Sequence, residues 1–147
     1  MGITEHNRAV FSSLNCEWAT PKKLFDGLNA EFAFDLDVCA TKRNAKCDRY
    51  FTRRENGLIQ EWAPATCWMN PPYGPDLSQW MRKAYLESLR GATVVCLVPA
   101  RTDTYWWHDY ALKGEIRFLR GRLRFGDGKG RATFPSAVVV FRGTGRK

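Results

Sequence analysis

No apolar run in this 147-residue chain approaches 18 residues, and its opening stretch, with Glu5, His6, Asn7 and Arg8, carries no apolar leader. The first absence excludes a membrane-spanning helix, and the second predicts a protein that stays in the cytoplasm. Histidine is confined to His6 and His108, and the five cysteines (Cys16, Cys39, Cys47, Cys67, Cys96) are odd in number, with no two at CxxC spacing. That set indicates neither a disulfide framework nor a zinc site, so no metal is expected. There is also no internal repeat, low-complexity tract or linker. With 44% hydrophobic and 14% aromatic residues the chain has the material for one packed core. The expected organisation is a flexible segment over 1–15, a single domain over 16–142 and a basic tail over 143–147.

The formal charge is +8, and it is unevenly placed. Residues 1–112 hold 13 Lys plus Arg against 13 Asp plus Glu, while residues 113–147 hold 10 against 2. The last quarter therefore carries the positive field. Within it Arg120, Arg122 and Arg124 alternate with Gly121, Leu123 and Phe125, which on a strand sends the arginines outward and Leu123 and Phe125 to the core. Such a face suits a phosphate backbone; a solvated edge strand whose charges block aggregation is the plainer reading.

Periodicity predicts alternating helices and strands. Thr20 before Pro21 reads as a helix cap with proline at the first helical position, opening a helix through Lys22, Leu24, Phe25 and Leu28. Phe32 to Val38 reads as a strand with Phe34, Leu36 and Val38 on one face and Asp35 and Asp37 on the other. Cys67 to Met69 is a short buried strand, Leu77 to Leu89 a helix, Thr93 to Val98 an apolar strand, and Asp103 to Leu112 a helix capped by its aspartate. Glu115 to Leu119, Arg122 to Phe125 and Ser136 to Phe141 read as closing strands. This order predicts a three-layer α/β domain whose sheet is mostly parallel, with antiparallel C-terminal strands. In such sheets ligands bind beyond the C-terminal strand ends, where strand order reverses, and Asp37 and Asn70 both fall at strand ends of that kind. The polar segment from Thr41 to Asn56 is the expected mobile loop.

Directly after Cys67, Trp68 and Met69 come Asn70, Pro71, Pro72 and Tyr73. With proline at about 5% of average composition, this tetrapeptide arises by chance in roughly one chain of this length in a few thousand. An exocyclic aromatic amine is a poor nucleophile because its lone pair is delocalised into the ring. Two acceptors, the Asn70 side-chain carbonyl and the Pro71 backbone carbonyl, can each take one amine hydrogen and localise that pair. The prolines hold the loop extended and contribute no competing N–H, and Tyr73 offers a face for a base to stack on. A proline turn that merely ends a strand is the alternative.

From Trp18 to Phe141 the chain resembles the phage-type DNA adenine methyltransferases. The resemblance is carried by Trp18, Thr20 and Pro21; by Phe34 to Asp37 with Cys39 and Ala40; by Asn70 to Gly74; by Pro99 to Trp107; and by Gly121 to Phe125 with Phe134 to Phe141. It implies a Rossmann-like fold that uses S-adenosylmethionine, encoded by a phage or prophage, acting in the bacterial cytoplasm and related to restriction-modification enzymes. Asn70, Pro71 and Tyr73 are then the amine-binding and base-stacking elements, with Pro72 fixing the loop. Thr20 and Pro21 lie near the methionine part of the donor, Asp37 hydrogen-bonds it, and Cys39 and Ala40 form the turn after the first strand. Related enzymes have a glycine-rich turn there, which this chain replaces with Val38, Cys39 and Ala40; Asp35 is the competing carboxylate. Asn56 stands where relatives often place an acid near the donor's adenine. Trp106 is a base-stacking candidate, although tandem aromatics on a helix also suit a core, and His108 reads as structural. The implied partner is duplex DNA with a flipped adenine, contacted by Arg120, Arg122 and Arg124 and bound by a monomer or weak dimer, with readout from loops such as Thr41 to Asn56 or Gly126 to Thr133. The same tetrapeptide serves methyltransferases of RNA adenine, cytosine amino groups and protein glutamine. A basic DNA-binding protein without activity on the same scaffold is the reading from another class.

Overall fold

A computed structural model describes residues 20–124 and 133–144. The segment over 1–15, Trp18, Phe125, all but Thr133 of the Gly126 to Thr133 loop and the last three residues of the basic tail lie outside the described residues. Helix α1 (Lys22–Phe32) forms where expected, but Pro21, at φ −56° and ψ 131°, occupies the cap position, and no side chain caps the helix. Thr20 is not the cap; its hydroxyl faces Asn70. The helix runs to Phe32 and turns at Ala33, φ 56°, where Asn29 accepts the Ala33 N–H on its backbone oxygen and the Phe34 N–H on its side chain. That late ending confines strand β1 to Leu36–Asp37 instead of 32–38. There follow β2 (Thr66–Met69), α2 (Leu77–Leu89), β3 (Thr93–Pro99), α3 (Tyr105–Asp109), β4 (Glu115–Phe118) and β5 (Ser136–Phe141). The cap of α3 is Thr104, whose hydroxyl accepts the Trp107 N–H, and not Asp103. Arg122 and Leu123 lie in no strand and Arg124 forms a single β-bridge, because the chain bends at Arg120 and Gly121, the latter at φ 74°.

The sheet order is β1-β2-β3-β5-β4. β1, β2 and β3 pair in parallel, and β5 is antiparallel to both its neighbours. Four strands thus run one way, so the C-terminal ends of β1, β2, β3 and β4 all open at one end of the sheet. The strands carrying Asp37 and Asn70 are sequential neighbours, and strand order reverses only between β5 and β4, so the expected coincidence of the site with a reversal does not occur.

Alternation of side chains across the pleat divides the interior in two. Cys67, Met69, Val94, Cys96, Val98, Ala137, Val139 and Phe141 face one way, and α2 covers them with Leu77, Trp80, Met81 and Ala84 while α3 adds Trp106 and Trp107. Trp68, Val95, Leu97, Val138 and Val140 face the other way, against Phe25 and Leu28 of α1. Central strands with both faces covered read as continuous apolar runs, as Thr93–Pro99 does. Phe34 joins the α1 side, its ring 5.6 Å from that of Trp68, while Leu36 and Val38 join the α2 side, so the three do not share a face.

One buried acid ties the loop before β2 to α2. Glu87 is 2% exposed; it accepts the Trp62 and Ala63 N–H groups at 2.8 and 3.0 Å and pairs with Lys83 at 3.0 Å. Burial alone raises its pKa, but the two amides and Lys83 overcome that and hold it below the usual carboxylate range. Its contribution is therefore present above the unfolded carboxyl pKa and fades as pH falls through the lower folded value. Replacement by alanine leaves both amides and the ammonium unmatched, and urea unfolding at neutral pH is expected to show a loss of about 3 kcal/mol. Glu87→Gln, which keeps one acceptor, loses less. A loss below about 0.5 kcal/mol in Glu87→Ala, the range of neutral surface changes, contradicts the assignment.

Candidate active site

Parallel pairing puts Asp37 beside Trp68, so Asp37 and Asn70 emerge on neighbouring strands. Asp37 is 2% exposed. Its carboxylate accepts the Lys46 N–H at 2.9 Å and the Cys39 N–H at 3.3 Å. Burial pushes its pKa up to about 7, against the two amides and the Lys46 charge. Asp35 is exposed and does other work: it accepts the Thr66 N–H at 2.8 Å at the opposite end of β2. Of the two carboxylates, only Asp37 faces the recess it shares with Thr20, Cys39, Asn44, Lys46, Trp68 and Asn70.

The loop after β2 is held from both sides. The Asn70 amide nitrogen donates to the buried Thr20 hydroxyl at 3.2 Å. The Tyr73 hydroxyl lies 3.2 Å from the Asn70 side-chain oxygen and 3.1 Å from the Leu97 carbonyl, and its single hydrogen serves one of these acceptors at a time. Burial raises the Tyr73 pKa, so at neutral pH the hydroxyl remains a donor. The Tyr73 ring packs edge-on against Phe134 at 5.7 Å. An Asn oxygen has two acceptor sites, so a second donor can reach Asn70 while Tyr73 is in place. Pro71 is buried, Pro72 half-buried.

Beside the recess lies a cavity of about 670 Å³ whose walls include Val38, Cys39, Ala40, Phe51, Asn56, Leu58, Pro72 and Trp80. Cys39 borders both spaces, and the 70–73 loop contributes Asn70 to one and Pro72 to the other. The far wall depends on close backbone approach: a Cβ on Gly57 would stand 2.2 Å from the Val38 carbonyl oxygen. Asn56 reaches this position at φ 58°, its side chain accepting the Leu58 N–H at 3.1 Å. The segment expected as a mobile loop is folded back along β1. Asp37 N–H donates to Arg49, Phe51 N–H to Asp37, and Ala40 N–H to Phe51.

Of the sequence candidates, Thr20, Asp37, Cys39, Ala40, Asn56, Asn70 and Pro72 border one or both of the two spaces; Pro21, Pro71 and Tyr73 border neither. Asn44, Lys46 and Trp80 also line them, and sequence reasoning missed all three. Only the polar 41–56 segment and the Leu77–Leu89 periodicity hinted at them, without saying which way any side chain faces. Arg120, Arg122 and Arg124 are exposed, and Leu123 turns inward toward the α1-side core. The expected partition holds over Arg120 to Arg124; Phe125 lies outside the described residues. Trp106 is corrected as a base-stacking residue: it is 8% exposed and packs edge-on against Trp107 at 5.7 Å, so its face belongs to the core. The exposed ring of that helix is Tyr105. His108 contacts the Thr102 carbonyl at 2.8 Å, a structural role.

The profile of a family described as DNA N-6-adenine-methyltransferase (Dam) matches residues 9–141. Among curated proteins, the DNA N-6-adenine-methyltransferase of Haemophilus phage HP1 is 37% identical over 92 residues, 61% of this chain and 53% of that protein. The DNA N-6-adenine-methyltransferase of Escherichia phage T1 is 29% identical over 93 residues, 61% of this chain and 38% of its own length. The chain thus spans about half of one relative and less of the other.

The raised Asp37 pKa gives a stability signature. The folded chain takes up a proton as pH falls through about 7, well before the unfolded chain does near its ordinary value, so stability rises as pH falls over that window. Between pH 8 and pH 5.5 the gain is on the order of 2 kcal/mol. Unfolding of Asp37→Asn at the two pH values is expected to lack this increment. The same pH dependence in both proteins excludes Asp37 as its source.

Proposed function

Since the chain belongs to the DNA N-6-adenine-methyltransferase (Dam) family, we propose that it transfers a methyl group from S-adenosylmethionine to the exocyclic amine of an adenine flipped out of duplex DNA. The observation that carries this reading is Asn70, fixed between Thr20 and Tyr73 at the end of β2, beside the buried Asp37 at the end of β1. The sheet with helices against both faces is, in this reading, a three-layer Rossmann-like methyltransferase domain over 16–142.

The 670 Å³ cavity has the volume and mixed lining of a nucleoside site. Val38, Ala40, Phe51, Leu58 and Trp80 provide apolar walls, and Asn56 provides a polar group for the donor's adenine. The recess beside Asn70, about 10 Å³, admits no more than a water molecule. Seating the donor's amino-acid end therefore requires the Thr20–Asn70 contact to part, with Asp37 and Lys46 lining the space that opens. When bound, S-adenosylmethionine supplies an electrophilic methyl on a sulfonium.

Asn70 and the Pro71 carbonyl accept the two amine hydrogens and localise the nitrogen lone pair. Tyr73 holds the Asn70 oxygen in register through its hydroxyl and offers the face of its ring to the base. The amine sheds a proton readily once methylated, so no strong base is required. Extruding the base costs a few kcal/mol, and contacts of Arg120, Arg122 and Arg124 to phosphates help offset it.

The test is to incubate the chain with S-adenosylmethionine and unmethylated duplex DNA, digest to nucleosides and look for N6-methyldeoxyadenosine by mass spectrometry. Asn70→Ala is expected to lower the rate by about 10²–10³-fold with donor binding retained. Product on RNA or protein but not DNA redirects the substrate assignment, and DNA binding unaffected by Asn70→Ala with no product on any acceptor supports the non-enzymatic reading. Tyr73→Phe keeps the ring and loses one hydrogen bond, so its single-turnover rate is expected to fall by up to about tenfold. A rate equal to the parent's would mean that the hydroxyl does not position Asn70.

A further inference from the structure

The lysines and arginines of residues 113–147 account for the net charge, but the topology places a second cationic surface beside the candidate site. From Lys42 to Arg54 the chain carries six Lys or Arg against one acid, Asp48, an excess that acids elsewhere in residues 1–112 cancel in the total. This segment follows the C-terminal end of β1, Arg101 follows that of β3, and Arg120 to Arg124 follow that of β4. The 42–54 segment leaves β1 at the end of the sheet where the Asn70 loop emerges from β2 and returns along the outer edge of β1, with Tyr50 level with Asp37, while both arginine groups leave their strands at that same end; the Asn70 loop lies between the first two. Four inter-strand spacings of about 4.8 Å carry these cations across roughly 19 Å, a span of about five to six phosphates along one DNA strand.

Pairing separates the cations by location. Arg90 and Arg142, at the opposite end of the sheet, are neutralised by Glu61 and Glu115, and Arg117 within β4 is paired with Glu31 and Glu115. By contrast, Lys42, Arg43, Arg49, Arg53 and Arg54 are exposed and form no salt bridge among the described residues. The neighbouring acid Glu55 accepts both the N–H and the hydroxyl of Thr52 at 2.6 Å. The segment is no loose tail: the hydrogen bonds among Asp37, Ala40, Arg49 and Phe51 hold its backbone along β1. Like charges held close together repel, and an external polyanion relieves that repulsion with release of its counterions. Lys42, Arg53 and Arg54 also border the cavity that Pro72 lines, so the cationic surface runs up to the rim of the proposed donor site beside the Asn70 loop.

We propose that residues 42–54 form a second surface for the DNA backbone, holding the duplex on the β1 side of the Asn70 loop while the C-terminal arginines hold it on the β4 side. This rests on the DNA substrate proposed above. The duplex is gripped on both flanks of the extruded base.

The test measures the slope of log affinity against log salt for a mixed-sequence duplex and the full chain. Arg43→Gln/Arg49→Gln, neither residue lining the donor cavity, is expected to reduce the slope by about 1 to 2, with S-adenosylmethionine affinity within twofold of the parent. Arg90→Gln/Arg142→Gln carries the same net charge and is expected to keep the parent slope. Arg43→Lys/Arg49→Lys should restore it, because phosphate attraction needs the charge and not the guanidinium plane. Equal slopes in the two glutamine variants, or failure of lysine to restore the slope, overturn this surface while leaving the DNA reading intact. A parent chain with no salt-dependent DNA binding overturns the DNA reading and this surface with it.

Discussion

The parallel register of β1 against β2 is the constraint on which the site depends. Leu36 opposite Cys67 and Asp37 opposite Trp68 bring the ends of two strands, separated by some 30 residues of chain, to the same edge. A slip of one residue would turn every side chain of a strand to its other face, exchanging Trp68 with its neighbours across the sheet. Trp68 is locked on the α1 side by an edge-on contact with Phe25 at 5.2 Å and by Phe34. The aromatic packing beneath α1 therefore sets where Asn70 emerges, and α1 simultaneously delivers Thr20 to it.

The side chains of Asp37 and Asn70 at this end are costly to keep from water, and both are matched. Asp37 has lost its water but keeps two backbone donors; Asn70 has Thr20 and Tyr73. A carboxyl suspended near neutrality and an amide clamped in orientation are what a site pre-arranged for binding leaves behind, because solvation is given up before the ligand arrives. The opposite end shows a different economy. There Glu87 is buried with enough donors to stay ionised, and Arg90 and Arg142 are neutralised by acids. One end of the sheet is electrostatically closed, and near the other Lys42, Arg43, Arg49, Arg53 and Arg54 form no salt bridge among the described residues.

Much of the fold was legible because its signals are local. α2 has the bounds its 3.6-residue spacing predicted, and β5 those of its apolar run. Errors arose where a neighbour overrode local preference. Ala33 in a left-handed conformation lets α1 run past the expected strand start, and the bend at Arg120 and Gly121 keeps Arg122 and Leu123 out of a strand. Trp106 was misread for a related reason: a five-residue helix has too few turns to reveal its buried face, which the position of α2 decided.

The sequence by itself determined the candidate chemistry: the Asn70 to Tyr73 loop, the buried strand that presents it, and the concentration of charge near the C-terminus. These are properties of residue types and short spacings, which need no folded partner to be recognised. Only the tertiary structure decided which of Asp35 and Asp37 faces the recess, drew Thr20 to Asn70, turned the 41–56 segment into a cavity wall and laid its cations along β1, near the Asn70 loop. Those outcomes depend on strand order and direction, and the parallel pairing that sets both is a contact between residues about 30 positions apart, beyond the reach of any local pattern.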